Sequence, residues 1–182
     1  MTLRRARTVP EDIVMILGAI GSVGSSVLQI AKNMGCRTIS VGRRGADVDS
    51  SEDPQLLKAK DLTDGAGPDV VIDTVGDLGL TKAAFEVMNT RGRISIISAP
   101  RQGNRELSLD LLSLYRRQIE LVGCNSAAYP QAEMADLLRE MTPGFDSGRL
   151  TAPEEASMNL ISIEQAPDAY SGKLKRAVIV FD

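Results

Sequence analysis

The stretch that decides the fold is LGAIGSVGSSVLQIAKNMG, Leu17 to Gly35. An apolar run, Ile13–Leu17, leads into Gly18-Ala19-Ile20-Gly21-Ser22-Val23-Gly24, and a helix-patterned segment follows. A strand that hands over to a helix facing an anion needs small residues at the junction, so that backbone N–H groups reach phosphate oxygens. In the usual dinucleotide register Ala19 takes the first glycine position, Gly21 the second and Gly24 the third. In the helix, Val23, Val27, Ile30, Ala31 and Met34 fall on one face, and Gly35 sits at the C-terminal cap position. A glycine triplet alone is a weak signal, and a tight turn that binds nothing has the same spelling. The strand before it and the helix after it raise its weight.

Working outward, β-rich runs alternate with helical patterns along the whole chain. Strands are expected at Ile13–Gly18, Arg37–Gly42, Asp69–Val75, Arg93–Ser98, Ile119–Gly123 and Arg176–Phe181. Several are Val/Ile runs without alternation, as strands covered on both faces should be. Helices are expected at Val23–Met34, Leu80–Met88, Leu107–Arg117 and Gln131–Met141, with Asp64–Pro68 and Pro143-Gly144 as turns. The pattern is α/β: a doubly wound, mostly parallel Rossmann sheet with helices on both faces and a C-terminal tail strand. We expect a dinucleotide-binding domain over 1–150 and a tail over 151–182.

The end of the second strand is the next diagnostic. An acidic residue there would hold the adenosine ribose, but the sequence reads Val41-Gly42-Arg43-Arg44, with Gly42 about 20 residues after Gly21. A missing carboxylate removes repulsion against a 2′-phosphate, and a guanidinium fork binds one directly. That favours NADP(H) over NAD(H); two solvated loop arginines are the plainer alternative.

Composition limits the chemistry. The 182 residues include no histidine, which excludes a His base, a His triad and most zinc sites. Two distant cysteines, Cys36 and Cys124, make neither a disulfide scaffold nor a four-thiolate metal site. The net charge of -3 gives no footprint for nucleic acid, and Arg4, Arg5 and Arg7 read as a solvated end. No apolar run approaches the ~20 residues of a membrane span, and no secretory signal is expected. A cytoplasmic protein without a metal is expected.

Taken together, ILGAIGSVGSSVLQIAKNMGCRTISVGRR, DVVIDTVG, MNTRGRISIISAP, IELVGCNS, GRLTAP and AYSGKLKRAVIVFD come in an order and spacing that resemble a known family. The chain is similar to the C-terminal part of a medium-chain dehydrogenase/reductase, of the zinc-free quinone oxidoreductase and enoyl thioester reductase kind. The resemblance implies that Gly18, Ala19, Gly21, Ser22 and Val23 form the pyrophosphate turn. It implies that Gly42, Arg43 and Arg44 meet the 2′-phosphate end. Thr74, Val75, Gly76, Ser98, Ala99 and Asn125 would lie near the nicotinamide ribose.

Two departures follow. The sequence holds no counterpart of the family's N-terminal substrate domain, which completes the cleft and usually supplies the proton donor. The helix after the second strand is also missing, since Arg43-Arg44 runs almost directly into Gly45-Ala46-Asp47. The adenine pocket would then be more open. The tail strand would expose an apolar face that its own surface, a second copy or a partner chain must cover, and a homodimer is expected.

No residue stands out as catalytic. Tyr129, after Cys124-Asn125-Ser126, is the best-placed acid, although a tyrosine there is more simply a packed or surface side chain. Cys124 reads as a small apolar residue. Asp73 reads as a backbone brace, and Tyr170 with Lys173 as tail structure. Three functions stay open: an NADPH-dependent reductase of a quinone, enone or enoyl thioester; an NADP(H)-binding module without turnover; and a non-redox isomerase or cyclase on the same scaffold.

Overall fold

Strand β1 (Ile13–Leu17) shows why the sheet is buried on both faces. Val14 and Ile16 point one way and Met15 and Leu17 the other, and all four have no exposed surface. In this computed structural model, which describes residues 1–153 and 155–181, β1 pairs in parallel with β2 (Arg37–Gly42) on one side and β4 (Val70–Asp73) on the other. With β3 (Val48–Asp49), β5 (Arg93–Ile96) and β6 (Glu120–Gly123) it builds a six-stranded sheet in the order β3-β2-β1-β4-β5-β6, every pair parallel. The order reverses between β1 and β4, which is where such sheets bind ligands.

Helix α1 (Thr2–Arg5) and helix α2 (Ser22–Asn33) cover one face. Leu3, Ala6, Val27 and Ala31 pack there on Val14, Ile16, Val70 and Ile72. The other face carries α3 (Leu57–Asp61), α4 (Leu78–Val87) and α5 (Leu111–Arg117), with Ala59, Phe85 and Leu114 on Met15, Leu17, Val71 and Ile94. The doubly wound sheet with helices on both faces is therefore as the sequence reads.

Several elements differ from expectation. Helix α5 starts at Leu111, not Leu107, because the Asp110 carboxylate accepts the Leu112 N–H and caps it there. Helix α6 (Gln131–Asp146) runs on past Met141, so Pro143-Gly144 is helical and not a turn. The C-terminal turn is closed by Ser147, whose N–H and hydroxyl both donate to the Pro143 carbonyl. In α2, Val27 and Ala31 are buried in the core and Ile30 and Met34 pack against it partly buried, as expected; Val23 is half exposed and contributes little. Gly35 follows the cap with φ 91°, the left-handed geometry that ends helices.

The β2–β3 connection has no helix: residues 43–47 bend back directly. Parallel strands ordinarily need roughly a dozen connecting residues or more, so this return must be held. Asp47 holds it, its carboxylate accepting the N–H and hydroxyl of Ser40 at 2.8 and 2.7 Å while its own N–H donates to the Ser40 hydroxyl. Partial burial opposes the charge, but those hydrogen bonds with Lys32 and Lys58 nearby keep the Asp47 carboxyl below its ordinary value. Asp47→Ala is expected to cost about 1 kcal/mol in urea unfolding at neutral pH. A group held low stabilises the fold above the ordinary carboxylate range and loses that contribution as pH falls through it. The difference between variant and wild type should therefore shrink in acid; a gap constant down to pH 3 would show the bonds do not depend on the carboxylate.

The chain divides into two compact units, Met1–Thr142 with the large sheet and Pro143–Asp182. In the second, β7 (Asn159–Ile161) pairs in parallel with β8 (Ala177–Ile179) as a two-stranded sheet, beside a short α7 (Ala166–Tyr170). The expected tail strand is thus shorter and has its own partner. Leu150 and Ile161 are buried, while Leu160, Val178, Val180 and Phe181 are exposed. Glu154 and Asp182 of the tail segment 151–182 lie outside the described residues.

Candidate functional site

At the C-terminal end of β1 the backbone turns at Gly18, φ 78°. The N–H groups of Gly18 and Ala19 both donate to Val41 O of β2, which binds the turn to its neighbour. Gly21 caps α2 with extended backbone and no side-chain bond, so the first N–H groups of that helix face outward. Gly24 sits so close beneath that a Cβ there would lie 2.1 Å from Gly18 O. Gly42 is less constrained: a Cβ would lie 2.6 Å from Ile20 Cδ1, the end of an exposed side chain that can swing aside. The turn admits the backbone and little else.

Above it opens a cleft of about 1030 Å³. Of the residues the sequence assigned to the cofactor, Gly18, Gly21, Gly42, Arg43 and Val75 line it. Ala19 is buried in the apolar layer and offers only backbone, and Ser22 and Val23 stand exposed at the start of α2. Arg44 does not line the cleft; its charge acts instead on Asp49, whose carboxyl is held low chiefly by the Ser51 hydroxyl and N–H. The sequence reading missed Ser50, Ser51, Pro54, Asp77 and Gly79 on the walls. Asp77 is legible as a cap, its carboxylate accepting the Leu80 N–H; Ser50 and Ser51 depend on a strand of two residues.

The ends of β4 and β5 are braced against each other. Asp73, fully buried, accepts the N–H groups of Val75 and Gly76 on one oxygen and the Thr81 hydroxyl on the other. That is the bracing role its position suggests. Thr74 donates to Leu17 O at 2.7 Å, and Ser98 to Val75 O at 3.2 Å. Gly76, φ 73°, leaves no room for a Cβ against Ala99 N.

Ser98, Ala99, Asn125 and Tyr129 converge on a second cleft, of about 620 Å³, at the ends of β5 and β6. Cys124 also lines it, its thiol pushed up by burial and partly drawn back by nearby positive charge, including Arg5. Both cysteines are free thiols; Cys36 donates to Val9 O. In the other unit Tyr170 is exposed and Lys173 pairs with Asp168.

The family model for zinc-binding dehydrogenases matches residues 22–142. A zinc-type alcohol dehydrogenase-like protein of Schizosaccharomyces pombe is 42% identical over 150 residues, 82% of this chain and 46% of that protein. The alcohol dehydrogenase TADH from Thermus sp. ATN1 superposes with a TM-score of 0.80 at 19% identity, over all of this chain and 54% of its own. An alcohol dehydrogenase superfamily protein from Novosphingobium aromaticivorans gives 0.74 at 25% identity, over 97% of this chain and 56% of its own. The chain belongs to the zinc-binding dehydrogenases, oxidoreductases of the medium-chain dehydrogenase/reductase superfamily, and carries their C-terminal Rossmann part. It spans about half the length of the relatives it matches.

The family's dinucleotide fits this chain, because Gly18, Gly21 and Gly42 line the cleft at the α2 N-terminus and present backbone alone. The zinc of the family's name does not. Among the described residues no group of three or more His, Cys, Asp or Glu comes together, and the chain has no histidine. No helix of the described residues is long and apolar enough to cross a membrane.

Proposed function

We propose that this chain is the NADPH-holding part of a medium-chain reductase acting on a quinone, an enone or an enoyl thioester. The supporting observation is Arg43: it lines the same cleft as the glycine turn, directly after Gly42, where a carboxylate would mark an NAD(H) site. NADPH supplies a hydride when bound; the protein holds its phosphates on the α2 N-terminus and its nicotinamide end towards Ser98, Ala99 and Asn125. Tyr129 is the proton-donor candidate at that end.

A second copy of the chain is the proposed partner. Strand β6 is the last of the sheet, with Leu121 41% exposed, and α5 beside it carries exposed Leu111, Leu112 and Tyr115. An unpaired edge next to apolar side chains suits pairing with the same edge of another copy. The exposed apolar residues of the second unit favour one other reading, an NADP(H)-binding module whose substrate domain comes from a partner chain.

Calorimetric titration with NADPH and NADH tests the proposal. Wild type should prefer NADPH, and Arg43→Ala/Arg44→Ala should weaken NADPH about tenfold or more while leaving NADH within about twofold, as loss of a charge-assisted contact requires. Equal affinity for both nucleotides, or no effect of the double substitution, overturns the NADPH assignment. Turnover with small enones then separates reductase from module.

A further inference from the structure

We propose that the second cleft, at the ends of β5 and β6, selects a carboxylate-bearing substrate with a short apolar body, and that Arg5 is the residue that binds its charge. The inference narrows the enone class proposed above to one that bears a carboxylate; it rests on that reading for the reaction, but not for the binding.

Arg5 is unlike its neighbours. Arg4 pairs with Glu140 at 2.9 Å and Arg7 with Glu120 at 2.6 Å, whereas no ion pair to Arg5 occurs among the described residues. Its one side-chain hydrogen bond among the described residues is a long 3.5 Å bond from Nη2 to Gly123 O, which sets it at the rim of the cleft and leaves most of the fork unused.

The backbone beneath it is fixed. The Thr2 hydroxyl bonds to the Ser95 hydroxyl at 2.7 Å, Leu3 and Ala6 are buried, and Arg93 donates to the carbonyls of Ala6 and Arg7. A cation held by a fixed backbone loses less freedom on binding than one on a loose end.

The cleft's own chemistry agrees. No carboxylate lines it; Ile96, Ile97, Ala99 and Ala128 give it apolar walls. Asn125 Oδ1 is already taken by the Ala127 N–H, so its amide N–H₂ remains to donate, and no bond occupies the Tyr129 hydroxyl among the described residues. The free polar groups are thus a cation and two donors around an apolar wall, which is the complement of one anion with adjacent oxygen acceptors on a short hydrocarbon. The cleft carries one cation among apolar walls, which suits a singly charged anion better than a doubly charged phosphate, and the guanidinium fork takes both oxygens of a carboxylate. The larger cleft, which carries Asp77, does not have this character.

The test uses the full chain without cofactor and two isosteric probes, trans-2-hexenoate and trans-2-hexenamide, followed by calorimetry and by amide chemical shifts at Gly123, Asn125 and Ala128. Wild type should bind the acid about tenfold tighter than the amide. Arg5→Gln should bring the two within about twofold, Arg5→Lys should keep part of the preference, and Arg4→Gln should keep all of it. Shifts elsewhere, an acid bound no better than the amide, or a preference that survives Arg5→Gln would each overturn the proposal. NADPH titration of the same samples separates the two readings: hexenoate bound through Arg5 with no NADPH bound leaves the anion site standing and removes the reductase.

Discussion

Gly24→Ala is expected to destabilise the protein by about 3 kcal/mol and to weaken dinucleotide binding at least a hundredfold, because it overpacks a contact that only backbone atoms make. The added Cβ would lie 2.1 Å from Gly18 O, 2.7 Å from Gly18 C and 2.8 Å from Ala19 Cα. None of these is the end of a flexible side chain. The helix must therefore back away from the turn by roughly 1 Å, carrying with it the N–H groups proposed to hold the pyrophosphate. Intrinsic propensity pulls the other way, since Ala is better than Gly in a helix interior by about 1 kcal/mol. The clash has to win by more than that for the prediction to hold, so the sign itself is informative. Gly123→Ala is the control for stability: a Cβ there meets nothing within 4 Å, and its urea midpoint should stay close to that of wild type. Urea denaturation of both variants, with NADPH titration, decides it. A Gly24→Ala protein as stable as wild type and binding normally would mean that α2 does not rest on the turn.

The sheet was legible in the sequence because its strands are buried on both faces, which leaves unalternated runs such as Val70–Ile72 and Ile13–Leu17. The glycine turn was legible because steric demand is local: whatever the rest of the fold, Gly18 and Gly24 sit where side chains do not fit. What escaped was held by distant partners. Strand β3 is two residues long and exists through the Ser40–Asp47 exchange, so no run of residues announces it. Ser50 and Ser51, which it delivers to the cleft, escaped with it. Helix α1 is a single turn anchored by Thr2 on Ser95, across 93 positions of chain. Arg43 and Arg44 illustrate a different limit. They follow β2 in a bend, and only the structure shows that Arg43 lines the cleft while Arg44 does not.

Arg93→Ala is the other substitution with a large expected cost, about 3–5 kcal/mol, through a buried ion pair rather than through packing. The pair joins the segment before β1 to β5: Arg93 Nη2 donates to Asp12 Oδ1 at 2.6 Å, with the two side chains 15% and 8% accessible. Arg93 Nη1 also donates to Ala6 O and Arg7 O, and Asp12 Oδ2 accepts the Val9 N–H. Removing the guanidinium leaves a buried carboxylate with one remaining donor and two carbonyls without theirs. The loss exceeds what the intact pair contributes, because burying both charges is itself costly and Arg93 Nε already lacks a partner among the described residues. It follows that Arg93→Met combined with Asp12→Leu, which removes both charges and keeps the volume, should recover most of the stability lost in Arg93→Ala. If the double variant is as unstable as the single one, the cost lies in the carbonyl contacts and not in the orphaned carboxylate. Amide exchange adds the local reading: in Arg93→Ala, residues 2–8 should open more readily than the sheet. The hexenoate preference assigned to Arg5 should fall with them, since the same guanidinium holds the backbone carbonyls of the two residues that follow it.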